Sequence, residues 1–279
     1  MKLKAILFLF FIANIPALFA GIDIKRDISY NSESKNARNL LDVYYPINKE
    51  VQKDVLVFIH GGSWNSGKKD TYWWLGKNMA RKNVVSVIIN YSLSPQYQYE
   101  QMATDCAVAL KWVKDSIAKY GGRADRIFVM GHSSGGHLAA LINNDPRFFK
   151  QQGILNPIRA VILNDSFGLD MFEYLNAAAR DDQTDSFLNT FSNDKETWKT
   201  GSPLNYLDNV KNPFLIFVGE LTYPAIQIQS KRLFDDLLKT NKPVEYKLIQ
   251  RKKHIGMISQ MIFRGNELYD EILAFMKKY

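Results

Sequence analysis

The chain has 279 residues, 46% of them hydrophobic, 13% aromatic and 23% charged, with a formal net charge of +8. This composition excludes a disordered chain, a collagen-like repeat and a disulfide scaffold, and the length suits one large domain. One cysteine permits neither an internal disulfide nor a cysteine-built zinc site, and no helix carries a stripe of Lys and Arg, which argues against a nucleic-acid partner.

Residues 1–20 read as a secretory signal peptide. Lys2 and Lys4 precede an unbroken apolar run of nine residues, Ala5–Ala13, which Pro16 ends before small residues lead to a cut after Ala20. A membrane-crossing helix needs about 20 apolar residues, so stable insertion after cleavage is not expected. The leader's two lysines account for two of the eight charges, leaving +6 on a mature, exported chain, periplasmic or secreted.

From residue 21 onward the chain alternates strands and helices. Leu40–Tyr45 alternates as an antiparallel edge strand does. Val55–Ile59, Val84–Asn90, Ile127–Met130, Ala160–Leu163, Phe214–Val218 and Val244–Ile249 are mostly continuous apolar runs, as in strands covered on both faces. Between them, Gln98–Tyr120 carries Met102, Cys106, Leu110, Val113 and Ile117 on one helical face, which makes Cys106 a packing residue. Ile226–Leu238 and Asn266–Met276 are also helical. The order predicts a mostly parallel, doubly wound α/β sheet in a single domain over 21–279. Residues 166–212, with short amphipathic pieces and no long apolar strand, predict a small helical cap.

Three points carry chemistry. Gly131-His-Ser133-Ser134-Gly135 follows a strand and opens a helix, the setting in which G-x-S-x-G makes a nucleophile elbow of Ser133. His60-Gly61-Gly62-Ser63-Trp64 closes an earlier strand. Its glycines let backbone N–H groups approach an oxyanion, so Gly61, Gly62 and Ser134 are the expected oxyanion donors, with His60 holding the loop. The overlapping stretch Gly62–Lys69 nearly matches a phosphate-binding loop, but Lys69 stands where the magnesium-binding hydroxyl belongs and Trp64 is bulky. His254 follows the last strand and is the expected base, with His132 and His137 pointing elsewhere. This chemistry needs no metal or organic cofactor.

These motifs, with LDVYYP, INYSLSP, Asp105, KYGG and QSKRL, resemble the α/β-hydrolase superfamily, in its carboxylesterase/lipase group with an HGG loop and a GHSxGG elbow. Kynurenine formamidase-like and feruloyl-type esterases are among the similar sequences. The resemblance runs from about Leu41 to the end. It implies a serine hydrolase cleaving small carboxylic esters through an acyl-enzyme, with arylformamidase action on aryl amides as the alternative. It also implies a triad acid three residues beyond Gly219, where this chain has Thr222. Threonine can orient an imidazole but cannot balance its charge. Glu220, on the same loop, is the expected substitute, and Asp165 on the neighbouring sheet edge is the other candidate. A hydrolase-fold binding protein with weak catalysis is the rival that Thr222 raises. Trp64, Trp73, Trp74 and Tyr223 are candidates for an aromatic mouth.

Overall fold

The computed structural model describes residues 21–279; the expected leader lies outside them. Eight strands form one sheet: β1 (Ile22–Ser29), β2 (Leu40–Pro46), β3 (Lys53–Ile59), β4 (Val85–Ile89), β5 (Gly122–His132), β6 (Ile158–Asn164), β7 (Phe214–Gly219) and β8 (Val244–Ile249). Their spatial order is β1-β2-β4-β3-β5-β6-β7-β8. β1 and β2 run antiparallel to their neighbours, and every pairing from β4 to β8 is parallel. The fold is a mostly parallel, doubly wound α/β sheet.

One expectation about the sheet is corrected. β2 is not its edge, because β1 pairs outside it. β1 eluded the pattern because Lys25, Arg26 and Asp27 interrupt its apolar alternation. Charges of that kind suit a strand whose outer edge meets water.

Helices cover both faces. On one lie α1 (Trp73–Arg81), α9 (His254–Ser259) and α10 (Glu267–Lys278). The other carries α2 (Tyr99–Ser116), α3 (Ser134–Asn144), α4 (Arg147–Gln151) and α8 (Pro224–Lys239). Leu56, Phe58, Phe128 and Met130 point to the first layer and Val55, Val57, Val129 and Val161 to the second, so alternate residues of each central strand feed two cores. Cys106 is wholly buried on α2.

Between β6 and β7 the chain makes three short helices, α5 (Met171–Ala177), α6 (Asp182–Phe191) and α7 (Lys195–Thr200). Asp170, Asp181 and Asp194 cap them, each side chain accepting a backbone N–H of the first turn. Trp64 fills the space beneath: its ring is fully buried and meets Phe187 and Phe191 edge-on at 5.5 and 5.0 Å. Packing of this kind holds α6 against the loop after β3.

Candidate active site

β5 ends in a turn too tight for side chains at its hinges. A Cβ on Gly131 would lie 2.2 Å from the Gly135 carbonyl oxygen, and one on Gly135 would lie 2.1 Å from that of Ile59. Ser133 between them has φ 55° and ψ −125°, a strained region for a non-glycine residue. The strain is over-determined: the Ser133 N–H donates to Asn164 O, and its carbonyl accepts from Gly136, His137 and Phe167. Ser133 is thus held above the sheet edge at the N-terminus of α3. Ser134 is the first residue of α3, where a backbone N–H has no intrahelical acceptor.

The ring of His254, first residue of α9, brings Nε2 to 2.9 Å from Ser133 Oγ. Its Nδ1 donates to Asp165 Oδ2 at 2.7 Å. Asp165 is completely buried and follows β6 directly. Three further bonds fix it: its N–H donates to Phe217 O, its Oδ1 accepts the Gly219 N–H at 2.8 Å, and its Oδ2 accepts the Thr222 hydroxyl.

The expected acid, Glu220, is therefore corrected. Its carboxylate accepts the Arg251 N–H at 2.7 Å and makes no bond to His254. Thr222, at the position the resemblance assigned to the acid, donates its hydroxyl to Asp165. β6 and β7 are neighbouring parallel strands paired up to Asn164 and Phe217, so they end side by side.

The other histidines are buried and held neutral. His60 donates from Nδ1 to Gly61 O at 2.8 Å and stacks on Tyr91, so it does hold the glycine loop. His137 donates to Gly201 O at 2.7 Å and accepts the Trp64 indole N–H, tying α3 to the cap. Burial pushes each of these two down to about 4. His132 does not point away from the site as expected. Its ring stacks on His254 at 4.9 Å, and its Nε2 lies 3.3 Å from His254 O. Burial first, and the neighbouring His254 second, hold His132 down at about 3.

Ser133 and His254 lie in a cleft of about 830 Å³. Tyr72 and Trp74 form one wall, Phe167 and Phe187 the cap-side wall, and Ile255 and Ile258 the α9 side. Among the described residues no Asp, Glu, Lys or Arg lines it. Gly61 and Gly62 border it beside the serine; a Cβ on Gly61 would lie 3.0 Å from Ser133 Cβ. Of the aromatic residues expected at the mouth, Trp74 and Tyr223 line the cleft, whereas Trp64 is buried under the cap and Trp73 lies outside it beneath Lys77. Asp105 pins the INYSLSP segment by accepting the Ser92 N–H at 2.8 Å. Among the described residues no group of three or more His, Cys, Asp or Glu is arranged to hold a metal ion.

A family model described as BD-FAE matches residues 41–237. The isoprenylcysteine alpha-carbonyl methylesterase of Arabidopsis thaliana is 27% identical over 92% of this chain and 62% of its own length. The esterase LipQ of Mycobacterium tuberculosis is 29% identical over 76% of this chain and 52% of its own. The chain thus spans little more than half the length of these curated relatives. Among solved structures, esterase B of Lactobacillus rhamnosis superposes with a TM-score of 0.78 at 19% identity, covering 92% of this chain and 85% of that one.

Proposed function

The chain belongs to the BD-FAE family, and from that premise we propose that it is a carboxylic ester hydrolase working through an acyl-enzyme on Ser133. One observation carries the reading: Ser133, His254 and fully buried Asp165 form a continuous hydrogen-bond chain of 2.9 and 2.7 Å at an uncharged cleft. His254 Nε2 takes the serine proton as Oγ attacks the ester carbonyl. Asp165 fixes the Nδ1–H tautomer and balances the imidazolium. The N–H groups of Gly61, Gly62 and Ser134 receive the developing oxyanion, aided by the positive end of α3. Collapse returns the proton to the departing alkoxide, and water releases the acid by the same steps in reverse.

The cleft's lining favours an ester over an amino-acid formamide. A zwitterionic formamide would bring an ammonium and a carboxylate, and among the described residues no Asp, Glu, Lys or Arg lines the cleft to pair them. Small uncharged esters are the substrate class we propose. The binding-protein rival rested on the missing acid at Thr222, and with Asp165 against the imidazole that motive is gone.

The protein is also proposed to be exported, to the periplasm or beyond, as one hydrolase domain over 21–279 whose 166–212 insertion caps the cleft. The reading of residues 1–20 supports export. No helix among the described residues is long and apolar enough to cross a membrane. Hydrolysis of p-nitrophenyl butyrate by the wild type, its loss in Ser133→Ala, and labelling of Ser133 by a fluorophosphonate test the chemistry. Equal rates for both proteins with Ser133 unlabelled would end the proposal.

A further inference from the structure

Among the described residues twelve large apolar side chains are substantially exposed, and six of them lie on the two segments that bring Tyr223, Ile255 and Ile262 to the cleft. They are Leu221, Tyr223, Ile228, Ile255, Ile262 and Phe263, each at least half exposed. They come from two adjoining segments, the start of α8 with its preceding loop, and α9 with the turn after it. The Leu221 N–H donates to Lys252 O at 2.9 Å, and the Tyr223 ring lies 5.2 Å from that of His254, so the segments touch. Tyr223, Ile255 and Ile262 line the cleft itself. Phe263 borders a depression that shares Ser259 with the cleft, and Ile228 borders another that shares Ala225. Three of the six thus line the mouth and three lie beside it on the same two segments, a crest that sets them apart from singly scattered surface residues.

The crest is basic. From Gln250 to Asn266 the chain carries Arg251, Lys252, Lys253 and Arg264 and no carboxylate. None of the four cations takes part in an ion pair among the described residues. The acidic group beside them, Glu220, accepts the backbone N–H of Arg251. Pairing with a second copy through this face would set four cations against four. Apolar side chains interleaved with unpaired cations match a lipid–water interface carrying negative charge. The crest is also continuous with an apolar, uncharged cleft, so an apolar path leads from it to Ser133.

We propose that this crest docks the protein on an anionic lipid surface, with the mouth of the cleft facing the lipid. The docking stands independently of the chemistry; only the corollary, that esters reach Ser133 from the apolar phase, rests on the hydrolase reading. The test is co-sedimentation with vesicles of phosphatidylglycerol and phosphatidylcholine in equal parts, against phosphatidylcholine alone. The wild type is expected to bind the anionic vesicles and to be released by salt. Ser133→Ala should bind equally well, so failure of the hydrolase reading leaves this arm intact. Leu221→Ser/Phe263→Ser, at two exposed positions where the fold is not at stake, should bind about tenfold more weakly to the anionic vesicles. Arg251→Gln/Arg264→Gln should lose about tenfold on the anionic vesicles and nothing on the neutral ones. The Leu221/Phe263 double variant should hydrolyse soluble p-nitrophenyl acetate like the wild type. Absence of binding to anionic vesicles, or undiminished binding by both double variants, overturns the proposal. So does a wild-type dimer that Leu221→Ser/Phe263→Ser converts to monomer, which would make the crest an interface between copies.

Discussion

Asp165→Asn separates the two carboxylates that compete for the role of triad acid. In the wild type Oδ1 receives the Gly219 N–H at 2.8 Å, and Oδ2 receives His254 Nδ1–H at 2.7 Å together with the Thr222 hydroxyl. An asparagine in the same rotamer has one oxygen and one NH2 for these places. The Gly219 N–H is a backbone donor that cannot turn, so the amide oxygen stays with it. The NH2 then faces the imidazole and the threonine hydroxyl. The hydroxyl can rotate to accept. The imidazole accommodates the donor by moving its proton to Nε2, where it faces Ser133 and can no longer take the serine proton. Loss of the correct tautomer in a well-ordered triad costs about 10⁴ in turnover, or about 5.5 kcal/mol of transition-state stabilisation. KM should change little, because Asp165 does not line the cleft. Glu220→Gln should stay within about threefold of wild type, since that carboxylate only accepts the Arg251 N–H. Both variants are assayed for kcat and KM on p-nitrophenyl butyrate, with thermal melting to verify folding. A folded Asp165→Asn enzyme keeping more than about a tenth of wild-type turnover would refute the tautomer argument.

Thr222→Val removes the hydroxyl donor from Asp165 while leaving the imidazole contact, and should lower kcat about fivefold to tenfold. Thr222→Asp should lower it further, because two adjacent carboxylates cannot both ionise freely; a rise in kcat would show that residue 222 is the true acid position. Gly135→Ala places a Cβ 2.1 Å from a backbone oxygen, which should cost at least about 3 kcal/mol in urea unfolding; an unchanged midpoint would contradict the fit of the elbow. Stability should also fall with acid. The folded pKa values of His60 and His137 are about 4 and that of His132 about 3, depressed by burial. The unfolded chain, with histidines near 6.5, therefore binds more protons between these limits, and unfolding free energy rises with pH there. At pH 5 the loss is about 2 kcal/mol for each histidine relative to pH 7.5. A urea midpoint equal at both pH values would refute the neutral, buried state of all three.

Most of the sheet was legible because parallel strands covered on both faces must be apolar throughout. Val55–Ile59 and Phe214–Val218 carry that signature, and both lie buried in the sheet. β1 was not legible, since a strand exposed on its outer edge tolerates Lys25, Arg26 and Asp27, and its alternation dissolves. The cap escaped detailed reading for a different reason. Its helices are only about two to three turns long and are defined less by periodicity than by the caps Asp170, Asp181 and Asp194, which look in the sequence like ordinary loop residues. Trp64, which sits beneath them, looked like a mouth residue because neighbours in the chain say nothing of what folds over it.

The same distinction governs the site. Ser133 and the glycines around it are readable because local sterics dictate them: the residues that crowd Gly131 are only four or five positions away. The acid obeys no such local rule. Its only requirement is a carboxylate within reach of His254 Nδ1 at the end of the sheet where parallel strands terminate together. Adjacent β6 and β7 meet that requirement equally, although Asp165 and Thr222 stand 57 residues apart in the chain. Loop position favoured Glu220, but a side chain two residues before Thr222 shares its side only if the backbone stays extended. Here Thr222 N–H donates to Gly219 O, so the loop closes into a turn and carries Glu220 toward Arg251 instead. Thr222 is then no lost catalytic residue. On the proposed chemistry its hydroxyl donates to Asp165, the acid from the neighbouring strand, which is why Thr222→Asp is expected to lower kcat where the family pattern alone would expect a rise.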